Sequence, residues 1–196
     1  MATAYAIAAT GQAILGLLAS AIPRDEFASA AFEIYQAKNF HTPMDEGISL
    51  YLYRVTPAPE IRNMPPRIGP DGRRYRPAAP VNLHYLLTAW ARDSVKQQRL
   101  LGWAIRILED TPILSAGVLN QAGPETDIFR PDETVDFVME TISIQDQGAV
   151  WEVARHHMQP SVFYVARMLA LDSEIPIIEA GAVQTRVFRN GALATP

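Results

Sequence analysis

Four histidines and the absence of any cysteine limit the reactive chemistry this sequence can support. His156 and His157 are adjacent, and on a helix consecutive side chains diverge by about 100°, so they do not form the i, i+4 pair of a helical metal site. His41 falls in a turn. His84 lies within an apolar run, where it reads as a satisfied core residue or a subunit contact. Glu109 and Asp110 close a helix, an end where carboxylates oppose the dipole and sit in water. The glycines are isolated, with no GxGxxG or GxxxxGK run to cradle phosphate and no Gly-x-Ser-x-Gly elbow. Without cysteine there is no disulfide, thiolate nucleophile or cysteine metal site. The expectation is a protein that is not an enzyme and holds no cofactor or metal.

The densest charge is of another kind. Residues 57–80 hold seven of the fifteen prolines and five arginines, Arg62, Arg67, Arg73, Arg74 and Arg76, against Glu60 and Asp71. Proline fixes φ, which makes the segment stiff and extended, and Pro70-Asp71-Gly72 marks a turn that predicts a projecting hairpin. Guanidinium groups on a stiff arm lose less entropy on meeting a partner's carboxylates than groups on a flexible one. A solvated surface connection is the alternative. Tyr75, among Arg73, Arg74 and Arg76, is the only interleaved aromatic, which is thin for stacking nucleic acid. The net charge of −4 opposes attraction to phosphate backbones, so no nucleic-acid partner is expected. Arg54, on the strand leading into the loop, joins the same candidate contact surface.

The elements that position these residues follow from hydrophobic spacing. Ile7, Ile14, Leu15, Leu18 and Ile22 recur at helical intervals within an uncharged N-terminal run. Ala19-Ser20-Ala21 resembles a signal-peptidase site, but no Lys or Arg precedes the run, and Thr10, Gly11 and Gln12 interrupt it. The reading is an amphipathic first helix with no membrane span. Residues 31–37 alternate as a strand, with a turn-rich connection over 41–47. In residues 48–55, Ile48, Leu50 and Leu52 face one way and Tyr51, Tyr53 and Val55 the other, so both faces are covered. Val81, Leu83, Tyr85, Leu87 and Ala89 share one side of the strand 81–90. Ser94 is the expected cap of the next helix, with Gln97 as its reciprocal partner, Leu101, Ala104, Ile105 and Leu108 as its buried stripe and Pro112 as its limit. After a loop over 120–133 come a strand over 134–143 with Val135, Phe137 and Met139 on one face, a helix near 149–158, and a strand over 162–171.

Strands arriving in runs, with few helices between them, predict an α+β fold: a mixed, mostly antiparallel sheet with helices packed mainly on one side. One domain over 1–172 carries the loop 57–80, and a C-terminal extension follows over 173–196. That tail contains Pro176-Ile177-Ile178 and Thr185-Arg186-Val187-Phe188-Arg189. An apolar tail with no core of its own usually lies on something, which adds Arg186, Phe188 and Arg189 to the contact candidates. With 48% hydrophobic and 19% charged residues, the chain is globular rather than disordered.

Four strings now resemble one family in the same order. They are 51–64 (YLYRVTPAPEIRNM), 83–90 (LHYLLTAW), 100–108 (LLGWAIRIL) followed by 111–115 (TPILS), and 161–164 (SVFY) with the strand after it. Together they resemble the cap-protein family of extracellular contractile injection systems, over most of residues 6–172. Residues 121–147 and the tail beyond Asp172 depart from the pattern. The resemblance implies a fold similar to phage tail terminators and a structural cap that assembles in the cytoplasm into a phage tail-like particle. It further implies a homo-hexameric ring that ends the inner tube and sheath, with tube protein, sheath protein and other copies as partners, and arms that bind sheath by strand addition. An adaptor module that forms no ring, or a small cytoplasmic enzyme, is the competing reading.

Overall fold

The computed structural model describes residues 2–59, 64–69, 71–121, 123, 125, 127–154 and 158–178. The uncharged N-terminal run forms α1 (Ala6–Ala21), which buries Ala6, Ala9, Ala13, Ile14 and Leu18. It stops at Ile22, which takes the extended backbone that a following proline favours. Two long strands, β2 (Gly47–Pro57) and β5 (Ala79–Trp90), follow β1 (Ala31–Tyr35) and a 3₁₀ turn over Ala37–His41. The short β3 (Arg67–Ile68) and β4 (Arg74–Tyr75) lie between them. After β5 come α2 (Ser94–Asp110), β6 (Ile113–Ser115), α3 (Ala116–Asn120), β7 (Thr134–Glu140), α4 (Ile144–Ala154) and β8 (Ser161–Leu171).

The main sheet has the order β1-β2-β5-β8-β7-β6. Only β1 and β2 run parallel, so the mixed, mostly antiparallel sheet expected from the sequence is present. Alternation along the strands feeds two cores. On one face, Ile48, Leu50, Leu83, Tyr85, Leu87, Tyr164 and Phe137 pack with α1, α2 and α3. On the other, Tyr35, Phe40, Leu86, Trp90, Phe163 and Trp151 of α4 form a smaller aromatic cluster, joined by Tyr51 and Tyr53. Val55 and Met139 are 46% and 44% exposed, so each expected face runs out of cover at its strand end.

Several local expectations shift for identifiable reasons. Asp93, not Ser94, caps α2: its Oδ2 accepts the Lys96 backbone N–H at 2.7 Å. Gln97 is therefore not a capping partner. It is buried, and donates its amide to Ala89 O at 2.8 Å and Gln159 Oε1 at 3.1 Å. Leu100 rather than Leu101 is fully buried in this helix. α4 begins near 144 rather than 149, because Ser143 Oγ accepts the Asp146 N–H and donates to its carboxylate. β6 and α3 are too short to leave a periodic signal.

Gly47 is where the parallel pair closes. Its φ is +149°, and a Cβ there would lie 2.0 Å from Ala31 O. Replacing Gly47 with Ala should cost about 3 kcal/mol, read from the denaturant midpoint, since both backbone strain and a collision with the paired strand are unavoidable. A midpoint equal to that of the parent would show that the β1–β2 junction is not so constrained.

Candidate assembly surface

The proline-rich loop does form a hairpin. Arg67 and Ile68 pair with Tyr75 and Arg74, and Gly69 N–H donates to Arg73 O at 2.8 Å. Gly72, at φ +72°, takes the left-handed position of the turn. Asp71 secures the turn through Oδ1, which accepts the Arg73 N–H, and through Oδ2, which accepts the Tyr75 hydroxyl at 2.8 Å. The Tyr75 hydroxyl, followed by the backbone N–H groups, holds the Asp71 carboxyl below its ordinary range.

Loop and tail read as separate appendages in the sequence, yet the hairpin meets the described start of the tail, residues 173–178. Tyr75 bridges to Pro176, Arg76 N–H donates to Ile175 O at 3.0 Å, and Ile177 N–H donates to Arg74 O at 2.7 Å. The start of the tail thus bridges to β4 in antiparallel fashion at one residue pair. Arg67 fastens this layer to the domain, its guanidinium 4.7 Å over the Tyr75 ring and its Nε 3.3 Å from Asp172 Oδ2 at the end of β8. Both members of the ion pair are largely buried, with 13% and 8% of their side chains exposed.

The candidate contact residues consequently divide. Arg67 is spent on holding the layer in place, and Tyr75 is half-buried beneath it. Arg73, Arg74 and Arg76 lie on its exposed surface, Arg73 beside Asp71 at 3.7 Å. Arg54 is exposed on β2, where the register with β5 shifts. Arg62, Arg186, Phe188 and Arg189 lie outside the described residues.

Sequence reading missed one polar cluster. On the second sheet face, Glu140 Oε2 lies 2.9 Å from His84 Nδ1 and 3.4 Å from the Tyr53 hydroxyl, while His84 Nε2 lies 2.9 Å from Thr56 Oγ1. A carboxylate only accepts, so both His84 Nδ1 and Tyr53 donate to it. The four residues come from β2, β5 and β7, far apart in sequence, and only the mixed polar side of β5 hinted at them. The cluster ties three strands together across β8. A described cleft of about 630 Å³ has its charged lining already paired, Arg92 with Asp45 and Lys96 with Glu46. Among the described residues, no three His, Asp or Glu side chains converge on a metal position. No described helix is long and apolar enough to cross a membrane.

The fold and its appended layer can be set beside known proteins. A family model described as the Pvc16 N-terminal domain matches residues 9–185. The chain belongs to the Pvc16 N-terminal domain family. Two solved structures resemble this family member across nearly its whole length. The sheath/tube terminator of the extracellular contractile injection system PVC, in its extended state, matches with a TM-score of 0.61 at 13% identity, over 96% of this chain and 65% of that one. The tube-terminating cap of the anti-feeding prophage matches with a TM-score of 0.55 at 15% identity, over 91% of this chain and 60% of that one. The chain therefore spans about two thirds of the terminators it resembles, and at these identities the likeness establishes the fold. No curated protein matches the sequence.

Burial, and then the Glu140 charge, raise the Tyr53 hydroxyl to about 12. An unfolded tyrosine ionises near pH 10, so the folded state holds the proton longer. The stabilisation is complete below about pH 10 and is lost as the pH rises towards 12. Urea titrations at pH 8 and pH 11 should show a smaller alkaline loss in Tyr53→Phe than in the parent. Equal losses in both proteins would separate Tyr53 from this effect.

Proposed function

We propose that this chain is a structural cap of a phage-like contractile injection system, forming a ring that terminates the inner tube and sheath. The observation that carries the reading is the match of the whole fold, over 96% and 91% of the chain, to two proteins that end such tubes. Family membership over residues 9–185 supports it independently of the structural likeness. The described surface suits the role. A described cleft of about 630 Å³ holds charges already paired with one another, and the domain carries an appended layer of arginines and isoleucines.

In this reading the domain 1–172 builds a ring of six copies, and the extension 173–196 reaches a sheath neighbour. Arg54, Arg62, Arg73, Arg74 and Arg76, with Arg186, Phe188 and Arg189 of the tail, contact neighbouring subunits. The ring sits on the tube end and is carried with the particle after assembly in the cytoplasm. Acidic partners would feel the arginines through water, so their attraction weakens with salt.

The triple replacement of Arg73, Arg74 and Arg76 by Ala should leave the far-UV spectrum and melting temperature unchanged. Its capture at the ends of purified tube and sheath should fall about tenfold and lose most of its salt dependence. Capture identical to that of the parent at both low and high salt would remove the arginines from the contact.

A further inference from the structure

The hairpin-and-tail layer has two faces that the register keeps apart. Arg67, Tyr75 and the exposed Pro176 form one cross-strand row, and Arg67 turns to the domain, where it meets Asp172. Strand alternation sends Ile68, Arg74, Arg76, Ile175 and Ile177 to the opposite side. Ile68 is 71% exposed and Ile175 52%, with Arg74 and Arg76 exposed between them. Two isoleucines left in water beside the Arg76 guanidinium, on a layer fixed from behind, form the kind of surface that a protein interface buries.

The outer edge of the layer is blunted. Ile175 and Ile177 turn their backbone groups to β4, so residue 176 turns its own outward, and as a proline it has no N–H to offer. The face, rather than this edge, is left for docking.

Charge identifies the occupant. Residues 57–80 carry five arginines against two carboxylates, so with −4 on the whole chain the remainder carries −7. A second copy of this chain is therefore an acidic partner for the layer. It also offers a matching surface at the end of the sheet, where β6 is the last strand. There Ile113 is 56% exposed and in register with the exposed Asp136, whose other neighbour in register, on β8, is the exposed Arg167. We propose that the Ile68–Arg76–Ile175 face of one copy docks on the Ile113–Asp136 edge of the next. The contact is heterologous, made by two different patches, and such contacts close into rings when the rotation between copies allows. This deepens the cap reading, on which it rests for the ring, but the contact itself requires neither tube nor sheath.

The purified full chain tests it by sedimentation velocity over a range of concentrations. The parent should self-associate, less so as salt rises from about 50 mM to about 500 mM. Arg76→Glu and Asp136→Arg should each weaken association at least about tenfold while keeping the far-UV spectrum and melting temperature. Both charge reversals in one chain, R76E/D136R, should restore it, a result that general surface damage would not give. A parent that remains monomeric at every concentration overturns the proposal, as does either single variant associating like the parent or a charge swap that fails to recover. A monomeric parent that still binds tube ends would overturn this contact and leave the cap reading standing.

Discussion

Residues 83–90 of β5 are buried without interruption, so the middle strand of the sheet meets water on neither face. That double burial is the constraint from which the rest of the architecture follows. One face needs α1, α2 and α3; the other takes the 3₁₀ turn and α4, with Phe40 set edge-on against Tyr51 and Trp151. Polar atoms caught between the layers are satisfied locally. Trp90 donates to Ser49, Gln97 to Ala89, and His84 bridges Thr56 and Glu140. With both faces of the central strands consumed by the chain's own core, the surfaces left for any other protein are the sheet edges and whatever is appended to the sheet.

Arg67 anchors the appended layer. Arg67 lies over Tyr75 and against Asp172, so the root of the hairpin, its second strand and the end of β8 meet at one side chain. Breaking this pair would leave a largely buried charge without a partner, which is why such pairs hold geometry even where their net contribution is small. Rigidity matters here, because a layer already ordered loses little further entropy on docking. The prolines of the loop and the bridge to Pro176 serve the same end.

Much of this was legible in the residues. The alternation of Ile48, Leu50 and Leu52 against Tyr51 and Tyr53 marked a strand covered on both sides, and Pro70-Asp71-Gly72 marked the hairpin. The arginine cluster was visible as composition, but not the division of labour within it. Nothing in the spacing distinguishes Arg67, an anchor, from Arg76, exposed on the outer face, because the difference lies in pairing with Asp172 about a hundred residues later. For the same reason the joining of loop to tail, and the Tyr53–His84–Glu140 cluster, were not legible: both depend on strand order, which local periodicity does not encode. Likewise β6 and α3 are too short for a period to show, although β6 supplies an edge of the sheet.

The central claim is that this chain ends a polymer. The most direct measurement is the length distribution, by electron microscopy, of particles assembled with and without it. The account predicts that particles lacking the chain have tubes of variable length and unclosed ends, and that resupplying the chain restores a uniform length. Particles of uniform length with closed ends in its absence would contradict it.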